Sequence, residues 1–263
     1  VSEAPRGLRD GPRHRLEFGG NGTVHGEFRQ KLNVVFGEAG PKERAIVLNG
    51  KKLSAPGMVL SVSSFETQIK PDAMLSLLRQ VNPAAVLVSA YDLLRPKRPS
   101  KKSSVTPEIT NTAAIDSLRE SGSMIFLDSG NYEAMRYKDT SWKRGKKRLL
   151  EAQNMVDVDL AFTHDNFPKE TSFEKVSALR RIDAISEEYG RDKSLVSCAV
   201  APIIHAPRLL GGQYSYDRLP EICCGVVRAV DPPMIAVAER ELGDGIMERM
   251  CTVAKIRKAL NDQ

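Results

Sequence analysis

Carboxylates recur where short apolar runs end. Asp128 follows Met124-Ile125-Phe126-Leu127 and opens the stretch Ser129-Gly130-Asn131-Tyr132. His164 and Asp165 follow Leu160-Ala161-Phe162-Thr163. Glu239 and Glu241 follow Met234-Ile235-Ala236-Val237, ahead of Leu242-Gly243-Asp244-Gly245. Paired carboxylates at neighbouring strand ends suit acid/base or nucleophilic work at a glycosidic carbon, or recognition of a polar base edge. On that reading Asp128, Asp165 and Glu239 or Glu241 share one pocket. The plainer alternative is that Asp128 and Asp165 cap the helices that follow. His164 beside Asp165 offers half a metal site, but no HxH accompanies it and His205 stands alone on its run. No metal ligand set is assigned. His14 and His25 read as surface residues, and the Gly211-Gly212 pair is weak evidence for phosphate binding.

The elements that must position these groups are read from periodicity. Apolar runs of strand type begin near residues 58, 84, 124, 160, 195 and 234. They are apolar on both faces, as buried parallel strands are. Helical stripes separate them. Residues 173–189 carry Phe173, Val176, Leu179, Ile182 and Ile185 on one face, with Thr171 and Glu174 as a capping box and Gly190 as a stop. Residues 219–230 carry a second stripe, with Pro220 in the first turn and Cys223 as a core residue. A third helix runs near Gly245 to Leu260. The alternation predicts an α/β fold, a TIM-type (β/α)8 barrel of which about six units are present, or else an open sheet. Residues 1–53 read as a β-rich N-terminal segment, with Arg15–Phe18, Leu32–Phe36 and Ala45–Leu48 as short strands and Asn49-Gly50 as a turn; 54–263 form the barrel.

Length and composition bound the class. A chain of 263 residues with 41% apolar and 27% charged residues is globular, and its longest apolar runs are far short of a membrane span. The first 20 residues lack an apolar stretch of secretory type, and the chain opens at Val1, which reads as a trimmed or incomplete product. Four cysteines without a CxxC fit a reducing cytoplasm and argue against a zinc site. The net charge of +6 is mild, but it is clustered. Arg95 to Lys102 holds five basic residues and no acid, and Arg136 to Arg148 holds seven against one, with Tyr137 and Trp142 interleaved. Lys97, Arg98, Lys101, Lys102, Lys143, Arg144, Lys146, Lys147 and Arg148 are the candidate phosphate contacts; the alternative is two solvated loops.

The run Met124–Met135, with Asp128-Ser129-Gly130-Asn131-Tyr132 at its centre, resembles a segment of the tRNA-guanine transglycosylases. Gly50–Val62 is similar to that family's opening strand, Ala85–Pro96 to a later strand and loop, Leu160–Pro168 to the segment that reads guanine, and Arg240–Gly245 to a glycine turn. The resemblance implies a (β/α)8 pentosyltransferase that exchanges guanine in tRNA or DNA for a 7-deazaguanine. It implies an acid/base and base-contacting role for Asp128, base stacking by Tyr132, acceptance of guanine N–H groups by Asp165, and substrate contacts from Ser129, Gly130, Glu241 and Gly243. A bidentate carboxylate suits two purine donors. The implied partners are nucleic acid and a free guanine or 7-deazaguanine base, with no membrane and with a homodimer or partner subunit.

The departures are Asn131 and Glu133 within the central segment, Asp92 after Tyr91, and no Gln-Gly pair near Pro202. The nucleophile and the family's zinc site would lie beyond Gln263, so neither nucleophile nor cofactor is assigned. Two other readings stand beside this one: a non-catalytic nucleic-acid-binding subunit, and an unrelated barrel enzyme acting on a small metabolite.

Overall fold

The computed structural model describes residues 44–55, 57–65, 69–94, 108–139, 142, 147–164 and 177–262, all within the unit Glu43–Gln263. The unit opens with an antiparallel hairpin, β1 (Arg44–Leu48) and β2 (Lys51–Ala55). Its turn residues Asn49 and Gly50 both have positive φ, at 50° and 75°, which a two-residue hairpin turn of this hand needs. Then come β3 (Leu60–Val62), α1 (Pro71–Val81), β4 (Ala85–Ser89), α2 (Ala90–Leu94) and α3 (Thr112–Glu120). These are followed by β5 (Met124–Asp128), α4 (Asn131–Arg136), α5 (Arg148–Gln153), β6 (Leu160–Phe162) and α6 (Ala178–Lys193). The described chain ends with β7 (Ala199–Ala201), β8 (Ile203–Ile204), α7 (Leu219–Val230), β9 (Ala236–Val237) and α8 (Ile246–Asn261).

Strands β3 to β7 pair in parallel and in chain order. β8 continues β7 past Pro202 and pairs in parallel with β9. The proline lacks an N–H, yet its carbonyl accepts from Ala236 at 3.0 Å, and Thr163 Oγ1 accepts from Ile203 N at 3.0 Å. These bonds carry the ladder through the bend. Strand order never reverses, which separates this sheet from a doubly wound one. The described strands form an incomplete (β/α) barrel.

The two sheet faces are filled differently. On the outer face Val86, Val88, Ile125 and Leu127 pack against Leu75, Leu78, Ile115 and Leu118 of α1 and α3. On the inner face Ala85, Met124, Phe126, Leu160 and Ala201 meet Leu53 of the hairpin. A cavity of about 250 Å³ remains there, lined by Ile46, Leu53, Val59, Leu87, Phe126, Phe162 and Met234 among others. A further cluster joins α6, α7 and α8 through Ile185, Ile222, Cys223, Val226 and Ile256. Cys223 is fully buried, as its place on the apolar stripe of α7 predicts, and burial pushes its thiol up to about 12.

Some local expectations are corrected. Helix α6 begins at Ala178, with Ser177 Oγ accepting from Arg180 N, and runs through Gly190 to Lys193. Gly190 does not stop the helix: no neighbouring atom lies within 4 Å of a Cβ placed there, and the turns continue to a cap at Ser194. The proposed cap at Thr171 and Glu174 lies outside the described residues, as do Arg15–Phe18 and Leu32–Phe36. Residues 195–198 are not strand. β6 offers only three residues, so only Ala199–Ala201 find partners.

One buried carboxylate ties the hairpin to the sheet. Asp159, just before β6, accepts from Asn49 Nδ2 (3.0 Å), Lys51 Nζ (3.0 Å) and the amide of Ile125 (2.8 Å). Lys51 also donates to the Ser123 carbonyl at 2.7 Å. Burial alone would raise the Asp159 carboxyl. The Ile125 amide, Asn49 and Lys51 outweigh it and hold the group below its ordinary value. A depressed carboxylate contributes stability above its unfolded pKa and loses it as pH falls through the lower folded one. Asp159→Ala leaves Lys51 and the Ile125 amide without this acceptor, and it is expected to cost about 3 kcal/mol or more. Urea unfolding at pH 7 measures that loss, and the gap from wild type should close on acidification below pH 4.

Candidate functional site

Alternation along the strands decides which groups face the barrel interior. Leu87, Phe126 and Phe162 line the inner cavity. Two residues further toward the carboxyl edge stand Ser89, Asp128 and His164. Ser89 and Asp128 are register partners in β4 and β5. Ser89 and His164 are buried, and Asp128 is half-buried. The structure therefore places Asp128 at the rim where barrel enzymes keep reactive groups.

The residues after Asp128 are held by packing. Asp128 Oδ2 accepts from Gly130 N at 3.1 Å. The carbonyl of buried Ser129 accepts from Trp142 Nε1 at 3.2 Å. Gly130 has φ 73°, and a Cβ there would lie 2.4 Å from the Tyr91 amide nitrogen, so only glycine fits. Tyr132 meets Phe65 edge-on at 6.0 Å, and the Arg136 guanidinium lies 4.4 Å over the Phe65 ring. Asp128 thus serves its own turn, and α4 is capped by Gly130 with no side-chain bond.

The carboxyl edge carries a second group of polar residues. His205 follows β8, and Glu241 ends the short 3-10 turn after β9. His205 Nδ1 lies 2.8 Å from Glu241 Oε1, while the Ala206 amide donates to Glu241 Oε2 at 2.6 Å. Both side chains are 2% exposed. A carboxylate can only accept, so opposite an ionised Glu241 the hydrogen of this contact sits on Nδ1. Arg181 Nε donates to the His205 carbonyl at 3.4 Å. Nearby, the His164 amide donates to Asp192 Oδ2 at 2.6 Å, and Arg191 Nε donates to Oδ1 at 3.0 Å, so the end of α6 is tied to the end of β6.

Sequence reasoning singled out Glu241 and missed its partner. His205 is 36 residues away in the chain, and only the pairing of β8 with β9 brings the two together. Asp128 and Glu241 share the edge, but from different parts of the sheet: the end of β5 and the turn beyond β9. Gly243 is buried at φ 144°, and its carbonyl accepts from Arg249 Nε at 3.0 Å. A Cβ there would lie 2.5 Å from Glu248 Cβ, so the glycine serves the turn into α8.

Asp165, Lys97, Arg98, Lys101, Lys102, Lys143, Arg144 and Lys146 lie outside the described residues. Lys147 is exposed at the start of α5. Arg148 pairs with Glu151 at 2.9 Å and lies 5.1 Å over the Trp142 ring. Trp142, read as an aromatic interleaved among cations, is corrected: it is fully buried, edge-on to Tyr91 at 4.9 Å. Among the described residues no group of three or more His, Cys, Asp or Glu is placed to hold a metal ion, and no helix is long and apolar enough to cross a membrane.

No family model matches the chain, and no curated protein matches it. Among solved structures, a probable 3-DHS dehydratase involved in petrobactin synthesis from Bacillus anthracis is 13% identical over 78% of this chain and 68% of that one, with a TM-score of 0.45. A D-psicose 3-epimerase is 11% identical over 78% and 80%, at 0.38. An endo-1,4-beta-D-mannanase from Thermotoga petrophila is 10% identical over 78% and 84%, at 0.34. These findings correct the transglycosylase resemblance: none of these proteins is a transglycosylase, and no transglycosylase family model matches. The physical reason is local. The Asp128–Tyr132 segment makes a tight strand-to-helix turn packed on Tyr91 and Trp142, and that turn accounts for Gly130 and for the Asp128 side chain without any purine.

Glu241→Gln tests the dyad. The Ala206 amide requires an oxygen at its end of the side chain, so the new NH2 faces His205 Nδ1 and turns that nitrogen into an acceptor. The imidazole hydrogen then moves to Nε2. Long-range proton–nitrogen NMR of the His205 ring is expected to change from the Nδ1–H to the Nε2–H tautomer.

Proposed function

We propose that the chain is a barrel enzyme that transfers protons to and from a small polar metabolite at the carboxyl edge of its sheet. The observation that carries the reading is the buried His205–Glu241 pair, fixed through Nδ1 and a backbone amide where two strands end. A buried pair of this kind is a poor source of stability, because desolvation offsets most of its attraction. Its worth lies in an imidazole held in one tautomer and one orientation, which is what general acid–base chemistry requires.

Asp128 supplies the second group. It is half-buried at the same edge, where its Oδ2 accepts from the Gly130 amide. One group removes a proton from carbon or oxygen, and the other returns one to the neighbouring atom. The Cys198 and Cys223 thiols take no part, since desolvation raises them to about 11 and about 12.

The test needs no prior substrate. The protein is incubated in D2O with a panel of sugars, hydroxy acids and keto acids, and loss of C–H signals is followed by proton NMR. Wild type is expected to exchange at least one compound. His205→Ala and Asp128→Asn are each expected to slow that exchange about 10²- to 10⁴-fold, the usual contribution of one positioned acid or base. Exchange that survives in both variants, or no exchange with any compound, overturns the reading.

A further inference from the structure

The inner cavity of the sheet has no part in the chemistry of the His205–Glu241 pair. Inward and outward residues of one strand are covered to different degrees. In β4, Val86 and Val88 on the outer face are fully buried, whereas Leu87 between them is only half-buried. Phe162 at the end of β6 is half-buried as well, and so are Val59 and Met234. All four line the cavity of about 250 Å³, together with Phe126. A closed (β/α)8 barrel fills its interior with side chains. Between the strands described here, apolar surface stays open on the inner face.

The size and lining of this space select a ligand. An apolar cavity of roughly 150 Å³ walled by leucine, isoleucine and phenylalanine stays dry and accepts a benzene ring. This one is larger. Phe126 and Phe162 meet edge to face, with centroids 6.2 Å apart and planes at 86°. A third ring packs on such a pair in the same manner, because ring edges and faces carry opposite partial charge.

The layer above the cavity sets the polar end of the ligand. Ser89 lies two residues beyond Leu87, on the same face of β4, and is the register partner of Asp128. Ser89 is 3% exposed, and its Oγ has no hydrogen-bond partner among the described residues. The serines after β3, the neighbouring strand, are engaged: Ser63 Oγ donates to Glu133 Oε1 at 2.7 Å, and the Ser64 amide donates to Asp92 Oδ2 at 2.7 Å. A buried hydroxyl left unpaired costs free energy that a ligand oxygen restores.

We infer that the cavity is a pocket for an aromatic ring, and that the ligand carries an oxygen next to the ring that accepts from Ser89 Oγ. The inference rests on the proton-transfer reading, which makes this ligand the substrate. It narrows the substrate to an aryl-substituted alcohol, hydroxy acid or keto acid. The strand spacing of about 4.8 Å then separates its oxygen-bearing head from the strand that carries Asp128.

Binding is measured without turnover, by ligand-observed proton NMR titration of the full chain with benzyl alcohol, toluene and glycerol. Benzyl alcohol and toluene are expected to bind saturably, and glycerol not at all. Leu87→Trp fills the cavity and is expected to abolish binding of both aromatic compounds, with circular dichroism to confirm the fold. Val59→Trp fills it from beside β3 and replaces Leu87→Trp if that variant does not fold. Ser89→Ala is expected to weaken benzyl alcohol about 2- to 10-fold, the usual loss for one hydrogen bond, and to leave toluene unchanged. The pocket is overturned if neither aromatic compound binds, if binding survives in the filled cavity, if glycerol binds as well as benzyl alcohol, or if Ser89→Ala binds benzyl alcohol as wild type does. Deuterium exchange is a separate readout. A protein that binds benzyl alcohol and exchanges no compound overturns proton transfer and keeps the pocket, and the reverse result overturns the pocket alone.

Discussion

Parallel pairing in chain order is the constraint on which the rest of this molecule depends. Once β3 to β7 align in register, every strand points its carboxyl end to the same edge, and alternation decides which side chain at that edge faces inward. Leu87, Phe126 and Phe162 form one inner layer. Ser89 and Asp128, register partners in β4 and β5, come next, because they lie two residues further on. Polarity is thus concentrated at one end by geometry alone. The hairpin helps close the opposite end, where Asp159 takes the lysine and amide hydrogens that would otherwise be buried unpaired.

Buried polar groups mark the edge more clearly than exposed ones. The His205–Glu241 pair, the Asp92–Glu133 acids with their serines, and the Asp192 contacts to His164 and Arg191 all lie at or just beyond strand ends. Each costs desolvation, and none is needed to fill the apolar core. A fold that only had to be stable would place leucine or methionine at such sites. The three sets differ in electrostatic balance: histidine faces glutamate in one, arginine faces aspartate in another, and the Asp92 pair meets no described cation.

The Asp128–Tyr132 segment shows how a short motif misleads. Its residue types fit a purine site, but they also fit a strand that must turn into a helix within two residues while passing Tyr91. Gly130 is required by a positive φ and a 2.4 Å approach, Ser129 Oγ accepts from the Asn131 amide at 3.4 Å, and Asp128 accepts from an amide of its own turn. Trp142 stands in a cationic run, and its ring completes the core behind that turn.

Local sequence determined the elements whose signals are complete within a few residues. The hairpin turn at Asn49-Gly50, the apolar strands β4 and β5, and α7 with its proline in the first turn all match the pattern read from the chain. The progression of β/α steps, and with it the incomplete barrel, was legible for the same reason: both-face apolar runs alternate with helical stripes. The candidate site was only half legible. Asp128 and Glu241 stand out because each follows a strand, but His205 gained a meaning only when β8 and β9 paired and brought Glu241 within 2.8 Å of its ring. Asp92 and Glu133 looked like departures from a motif, since nothing in the one-dimensional pattern shows that two adjacent serines bridge them. Periodicity is a local property and can be read from the chain; burial and the partners of these polar atoms depend on residues 28 to 110 positions away, and only the folded sheet decides them.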